Sequence, residues 1–353
     1  MESTPHLETP SGSVPLLAIS IPTCNHPELV DQFIRAILPS LRRFQIPVYV
    51  TDNSDNDQTE GILQALTDEY PAIFYRRNTE NLRFDANCAQ AITWPNAEYV
   101  WPIGDGMLIN ESMIEPILKS LEEKPDLVFL NYRVPDSRQR VIEPSEQHEW
   151  IVNHAWHLTS LGVTIFGVRP RGIARRTSPE DFGRWKNFFH LGLILRCSTT
   201  EKSRCLWIGP HAVRGNPNKT GSGWVSIAIQ VFAGDWARLI LNFSDVFTPK
   251  ETQELIRSHG VKTRIFGWRD LLQFRKDGRF SKQIFDAYQT EIKLAVPLPI
   301  RWLQLLADAS DARIHWPSIG WRLMLQLCWV LEKIQHLGPL FVKKSAPSDS
   351  SLI

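Results

Sequence analysis

Cysteine is scarce and unpatterned in this chain. The five thiols, Cys24, Cys88, Cys197, Cys205 and Cys328, are odd in number and include no C-x-x-C pair. That excludes a zinc knuckle and a disulfide scaffold and fits a reduced, cytoplasmic setting. An excess of one charge sign is also missing. Lys plus Arg number 39 against 38 for Asp plus Glu, a net charge of +1, so there is no bulk electrostatic case for a nucleic-acid partner. No apolar run is long enough to cross a bilayer. The most apolar C-terminal stretch, 323–331, is short and broken by Gln326. Residues 1–14 lack the basic start and apolar run of a signal peptide. No G-x-G-x-x-G follows the first apolar run and no G-x-x-x-x-G-K-[ST] occurs, which removes the main support for nicotinamide oxidoreductases and P-loop phosphotransferases.

What is present is an ordinary globular composition. With 43% hydrophobic and 22% charged residues over 353 positions, the chain can bury a sizeable core, as one large domain with an appendage or as two domains. The 13 tryptophans are a heavy load, and such rings serve interfaces as well as cores.

Along the first hundred residues, short apolar runs alternate with helix-period segments. Residues 16–21 read as a strand that stops at Pro22-Thr23-Cys24-Asn25. Leu29, Phe33, Ile37 and Leu41 then recur every four residues, one face of a helix over 28–41. A strand over 47–50, a polar loop over 51–56, a helix over 59–70, a strand over 73–75, a loop into a helix over 81–91 and a strand over 99–103 follow. This β-α-β-α-β-α-β order predicts a parallel sheet with helices on both faces. In open sheets of that kind ligands sit beyond the carboxyl ends of the strands. The polar loops 22–26, 52–57, 81–87 and 104–106 fall there.

Four of these segments resemble, in order, the motifs of family 2 glycosyltransferases of the GT-A fold. Ile19-Ser20-Ile21-Pro22-Thr23-Cys24-Asn25 is similar to the family's apolar strand with P-T-x-N. Asp52-Asn53-Ser54 resembles its D-N-x-S, Asn81-Leu82-Arg83-Phe84-Asp85-Ala86-Asn87 its N-L-G-F-x-x-N, and Tyr99 to Asp105 the strand into its D-x-D region. The resemblance implies a GT-A fold, a Rossmann-like, mostly parallel α/β sheet, and a nucleotide-sugar donor site. In it the loop holding Pro22, Thr23 and Asn25, with Asp52, would bind the nucleoside, and Arg83 and Asp105 would address the diphosphate. A carboxylate suits N–H and hydroxyl donors, and a guanidinium suits phosphate oxygens. Two departures stand out. The family often has glycine where Arg83 stands. Its two or three aspartates, which bind a divalent cation, are reduced here to Gly104-Asp105-Gly106-Met107. A Mg²⁺ or Mn²⁺ ion delivered with substrate can do with few protein ligands, so the resemblance implies either a metal at Asp105, with His211 as a further ligand or a turn-packing residue, or a metal-free or inactive site.

The middle of the chain, His157-Leu158-Thr159 to Ile165-Phe166 and Phe188-Phe189-His190-Leu191, resembles the abequosyltransferase-like subgroup of bacterial O-antigen sugar transferases. There an acidic residue deprotonates the acceptor. Here His190 occupies the matching place, as a general base or as a hydrogen-bonded core histidine. Glu180 and Asp181 are its rivals, or first-turn helix acids. The polar loop 214–224 offers Asn216, Asn218 and Lys219 as acceptor contacts or a lid, or is a plain surface loop. The basic residues of 169–186 either meet a phosphate-bearing partner or form a solvated face. From about residue 250, basic residues interleave with Phe266, Trp268, Leu271, Leu272, Phe274 and Phe280. That composition suits an anionic membrane surface, unless these helices dock on protein. Leu323, Leu327, Val330, Ile334 and Leu337 form another apolar stripe.

The expected organisation is a tail over 1–15, a GT-A domain over 16–248, a helical C-terminal extension over 249–342 and a disordered tail over 343–353. The expected activity is transfer of a sugar from a nucleotide-diphosphate donor to a saccharide or lipid-linked saccharide, inverting by resemblance, in surface polysaccharide synthesis. It would take place in the cytoplasm or at the inner face of the plasma membrane. The alternative is an inactive GT-A module that binds nucleotide sugar or partner proteins, supported by the missing acids at Gly106 and Met107.

Overall fold

A computed structural model describes residues 14–199, 203–219 and 223–309, with Val225 by its backbone alone. Most of the expected tails over 1–15 and 343–353, and the apolar stripe from Leu323 to Leu337, lie outside the described residues. The chain divides into two compact units, Met1–Val225 with Asp235–Ile256, and Ser226–Gly234 with Arg257–Ile353.

The first unit opens with β1 (Leu17–Thr23), α1 (Pro27–Phe44), β2 (Val48–Asp52), α2 (Gln58–Glu69), β3 (Ile73–Arg77), α3 (Arg83–Thr93) and β4 (Tyr99–Pro102). This is the expected alternation. Leu29, Phe33, Ile37 and Leu41 of α1 are all buried, as their four-residue spacing requires. β1, however, runs past the expected stop at Pro22. Pro22 and Thr23 stay in register with Thr51 and Asp52 of β2. Proline lacks only a donor, and the Asn53 N–H, donating to the Thr23 carbonyl at 3.0 Å, carries the pairing beyond it. Polar residues are thereby drawn into the buried ends of the strands.

The unit continues with β5 (Met107–Ile109), α4 (Ile114–Leu121), β6 (Leu127–Asn131), β7 (Arg140–Ile142), α5 (Gln147–His154), β8 (Thr164–Phe166), α6 (Val168–Arg175), α7 (Pro179–Arg184), α8 (Phe189–Thr199), β9 (Cys205–His211) and β10 (Val213–Gly215). The eight-stranded sheet has the order β3-β2-β1-β4-β8-β6-β9-β7. β3, β2, β1 and β4 are mutually parallel, and β9 is parallel to β6. β8, only three residues long, enters antiparallel between β4 and β6, and β7 closes the edge antiparallel to β9. β5 and β10 form a separate antiparallel pair, Met107 facing Gly215 and Leu108 facing Arg214.

Several tryptophans fill interiors: Trp101, Trp185, Trp207, Trp236 and Trp268 are among the largest fully buried side chains. Trp101, at the middle of β4, donates its Nε1–H to the Gly162 carbonyl at 2.8 Å, the partner a buried indole needs. Arg171 of the basic stretch 169–186 is 3% exposed and donates to the carbonyls of Ile92, Pro95 and Ala97. It pins the turn before β4. Its neighbours pair with local acids, Arg169 with Asp126 and Arg184 with Glu180. Arg171 is thus internal bracing, while Arg175, Arg176 and Lys186 are exposed.

In the second unit the described helices include Trp268–Lys276, Lys282–Ala287, Gln289–Ala295 and Ile300–Asp308. Phe266, Trp268, Leu271, Phe274 and Phe280 are buried. Aromatics offered to a membrane by composition are therefore core residues, because their helical spacing gathers them on one inner face. No helix among the described residues is long and apolar enough to cross a membrane.

Candidate functional site

At the carboxyl ends of β1, β2 and β4 the apolar strands turn polar, and the polar side chains bond to one another. Asp52 is fully buried. Its Oδ1 accepts from the Ser54 amide at 2.8 Å and from the Ser54 hydroxyl, and its Oδ2 accepts from the Tyr75 hydroxyl at 3.0 Å. Burial and the Asp52 carboxylate hold the Tyr75 phenol above its ordinary range. Asn87 of α3 donates to the carbonyls of Thr23 and Thr51 at 3.2 and 3.1 Å, so one amide clips two strand ends together. Asn53 donates to the Arg83 carbonyl at 3.0 Å and accepts from Asn78 at 2.8 Å. Asn25, exposed and in the left-handed region at φ 57, accepts from Asn56 at 3.1 Å, while its amide donates to the Ser54 hydroxyl at 2.7 Å. The loops after β1 and β2 and the turn into α3 are thus one hydrogen-bonded body.

Arg83 begins α3 with φ 63. A bulky residue in that region pays about 1–2 kcal/mol that glycine avoids. Asn81 offsets part of this, accepting from the Arg83 amide at 2.8 Å. The Arg83 side chain is exposed, with no ion-pair partner among the described residues. Beside it, Phe84 meets Trp224 edge to face at 5.0 Å between ring centroids.

Asp105 follows β4. Its Oδ2 accepts from the Thr23 hydroxyl at 3.0 Å, and its Oδ1 lies 2.7 Å from the Lys219 ammonium. The Asp105 carboxylate is 9% exposed and the lysine side chain 25%, so the pair has a buried anionic end and a more open cationic one. Cys24 senses both aspartates. Burial first, then Asp52, Asp105 and Asp55, raise its thiol above the usual range. The loop carrying Lys219 is tied down at several points. β10 pairs with β5, the Asn216 amide donates to the Gly106 carbonyl at 2.8 Å, and the side chains of Asn216 and Asn218 donate to Gln32 at 3.4 and 3.1 Å. Asn216, Asn218, Gln32, Arg35 and Arg214 line a groove of about 490 Å³.

Sequence reasoning thus places Thr23, Asp52, Arg83, Asp105 and Lys219 in one region, and the structure joins them. It corrects four roles. Asp52 is wholly enclosed, its carboxylate engaged by Ser54 and Tyr75, so it shapes the loop and presents no surface to a nucleoside. His190, at the start of α8, is 3% exposed and shares a hydrogen with the Thr159 carbonyl at 3.1 Å. Burial lowers its pKa to about 4, and an acceptor hydroxyl has no path to it. Asp181 pairs with Arg196 at 2.9 Å. Arg196 lies two turns into α8, roughly 10 Å along the axis from its first residue, away from the strand ends. His211 ends β9 with its side chain exposed and its carbonyl accepting from Asn110 at 3.0 Å.

Asp85 escaped the sequence reading. From the first turn of α3 it accepts from the Asn187 and Phe189 amides at 2.7 and 3.1 Å, capping the start of α8. Burial raises it to about 6. The signal was its place within the N-L-x-F-x-x-N stretch, which said nothing of a partner about a hundred residues on.

Residues 18–181 match the family model described as Glycosyl transferase family 2. That match covers a little under half of the chain. The chain also carries a distant likeness to abequosyltransferase RfbV of Salmonella typhimurium, 25% identical over 114 residues, 32% of this chain and 34% of that protein. The match therefore spans about a third of the curated relative's length. Among solved structures, S. aureus TarS 1-349 is similar at 12% identity with a TM-score of 0.52, covering 92% of each chain. The mannosyltransferase PcManGT from Pyrobaculum calidifontis, in complex with GDP-Man and Mn²⁺, is similar at 14% identity with a TM-score of 0.50, covering 95% of this chain and 90% of that one. These likenesses show the fold, a GT-A α/β sheet.

The family 2 match raises the question of a divalent cation, and the residues at Asp105 do not fit one. Only one carboxylate is offered, one of its oxygens already holds an ammonium, and Gly106 replaces a second acid. A Cβ at Gly106 would overlap the Lys219 side chain. Among the described residues no group of three or more His, Cys, Asp or Glu is placed to hold a metal ion, so Asp105 and His211 form no such centre.

Proposed function

We propose that the protein, through residues 16–248, transfers a sugar from a nucleoside-diphosphate donor to a hydroxyl of a saccharide or lipid-linked saccharide, with inversion, in surface polysaccharide synthesis. One observation carries this reading: the segments that resemble family 2 motifs form one hydrogen-bonded cluster at the strand ends, where Lys219 sits on Asp105 and Arg83, which opens α3, is exposed. The relatives support the donor class, since structures of PcManGT and TarS contain GDP-Man and UDP-GlcNAc. In the reaction the bond from the anomeric carbon to the terminal phosphate oxygen breaks, its electron pair leaving on that oxygen. The acceptor hydroxyl oxygen forms the new bond from the opposite face, and its proton passes to solvent.

Within this reading the loop from Pro22 to Asn25 borders the nucleoside, and Asp52 holds that loop in shape. Arg83 meets phosphate oxygens, which explains why an arginine is kept in a backbone conformation suited to glycine. The groove beside Asn216 and Asn218 receives the acceptor. Lys262, Arg264, Arg269 and Lys276 are exposed in the second unit, and they support docking on the anionic inner face of a membrane by charge alone.

Thermal shift with UDP, GDP and dTDP, followed by donor hydrolysis with the stabilising nucleotide's sugar, tests the reading. Stabilisation together with release of sugar is expected. Binding without turnover would turn the reading into that of an inactive module. No shift at millimolar nucleotide would remove the donor site altogether.

A further inference from the structure

We propose that the Lys219 ammonium takes the place of a divalent cation at the donor diphosphate, making binding and transfer independent of metal. This rests on the donor-site reading above. Three features of the chain support it. First, the ammonium sits on the sole carboxylate of the motif, 2.7 Å from Asp105 Oδ1, where a metal would bind. An ammonium carries three donors, and one to Asp105 leaves two for phosphate oxygens.

Second, the space Lys219 fills is created by Gly106. Any side chain there would collide with its Cδ, Cε and Nζ atoms, so the missing second acid and the arriving cation are one structural fact. Third, the lysine is placed by built geometry and not by a chance surface contact. The β5 and β10 pairing puts Gly215 opposite Met107, and the Asn216 amide is bonded to the Gly106 carbonyl. The acidic loop and the lysine loop are therefore held in fixed register. The Thr23 hydroxyl on Asp105 Oδ2 fixes the carboxylate's other oxygen and orients the pair.

The charge arithmetic agrees. Asp105 and Lys219 sum to zero, so the corner does not attract a free cation. The donor's negative charge then meets Lys219 and Arg83 directly.

The test measures UDP and GDP binding to the full chain by calorimetry, in EDTA and in Mn²⁺, for wild type, Lys219→Met and Lys219→Arg, with melting curves for each. The expected result is wild-type binding in EDTA, altered less than about twofold by Mn²⁺. Lys219→Met should weaken it by about 10–100-fold, the value of one charge-assisted hydrogen bond. Lys219→Arg should recover most of it, and all three should keep folded melting transitions. Wild-type binding that appears only with Mn²⁺, with Lys219→Met equal to wild type, would overturn the inference and leave the donor site standing. Failure of both nucleotides to bind, in EDTA and in Mn²⁺ alike, would overturn the donor site and this inference with it. Mn²⁺ titrated without nucleotide and followed by electron paramagnetic resonance gives a readout free of activity. The wild type should leave the ion's signal unchanged, and tight binding at Asp105 would sink the proposal.

Discussion

Asp52 and Asp105 are two buried aspartates on either side of Thr23, one ending β2 and the other just beyond β4, yet they are satisfied in opposite ways. Asp52 is surrounded by neutral donors, from Ser54 two residues on and from Tyr75 on the next strand. Asp105 is met by a full positive charge from a residue 114 positions away. A carboxylate satisfied by its own loop is a structural fixture. One balanced by a distant cation at an open edge is poised to exchange part of that balance for a ligand.

If that distinction is right, Asp52→Ala should cost the most stability, about 3–5 kcal/mol, by stranding the buried Ser54 donors and removing the acceptor of the half-buried Tyr75 hydroxyl. Urea unfolding would measure it, and a loss no larger than that of Asp105→Ala would break the comparison.

Next comes acid, which acts on the buried histidines and on Asp85. Burial lowers His157 and His190 to about 4, so the unfolded chain binds more protons below the ordinary histidine range and stability falls as pH drops. Asp85, raised to about 6, acts in the opposite sense, since the folded state takes up its proton first. From pH 7 to pH 5 the two histidines cost about 2 kcal/mol each and Asp85 returns about 1, a net loss of about 3 kcal/mol. Urea midpoints at the two pH values check this, and unchanged midpoints would show that the histidines are not buried as described.

Gly106→Ala should cost less, about 1–2 kcal/mol, by pushing Lys219 off Asp105. It should weaken nucleotide binding in EDTA, while Gly61→Ala, in open space on α2, should not. The smallest effect belongs to Arg83→Gly. It relieves a left-handed arginine and should be neutral to about 1 kcal/mol stabilising, yet it should loosen nucleotide about tenfold. A variant both less stable and equally tight would remove Arg83 from the donor site.

The parallel half of the sheet was legible because local signals agree there: four-residue spacing in α1, apolar runs, and polar loops after each strand. β8 was not legible as a strand of this sheet, since three residues carry no period and their antiparallel placement is decided by tertiary pairing. The region of the site was readable from motif order, but its internal chemistry was not. Whether Asp52 and His190 face a ligand or the interior depends on burial, which a motif does not record. Lys219 read as a lid because its partner lies 114 positions back and the glycine that admits it looks like a mere loss. The second unit's aromatics left membrane and core open for a related reason, because composition does not say which face of a helix is covered.

The edge-to-face contact of Phe84 with Trp224 has a practical consequence. An indole lies one ring away from the residue that follows Arg83, so anything that reorients the start of α3 alters the surroundings of a native fluorophore. Most other large indoles are sealed in the interior and report a constant background. The chain thus carries its own optical gauge of conformation at the start of α3, readable without a label.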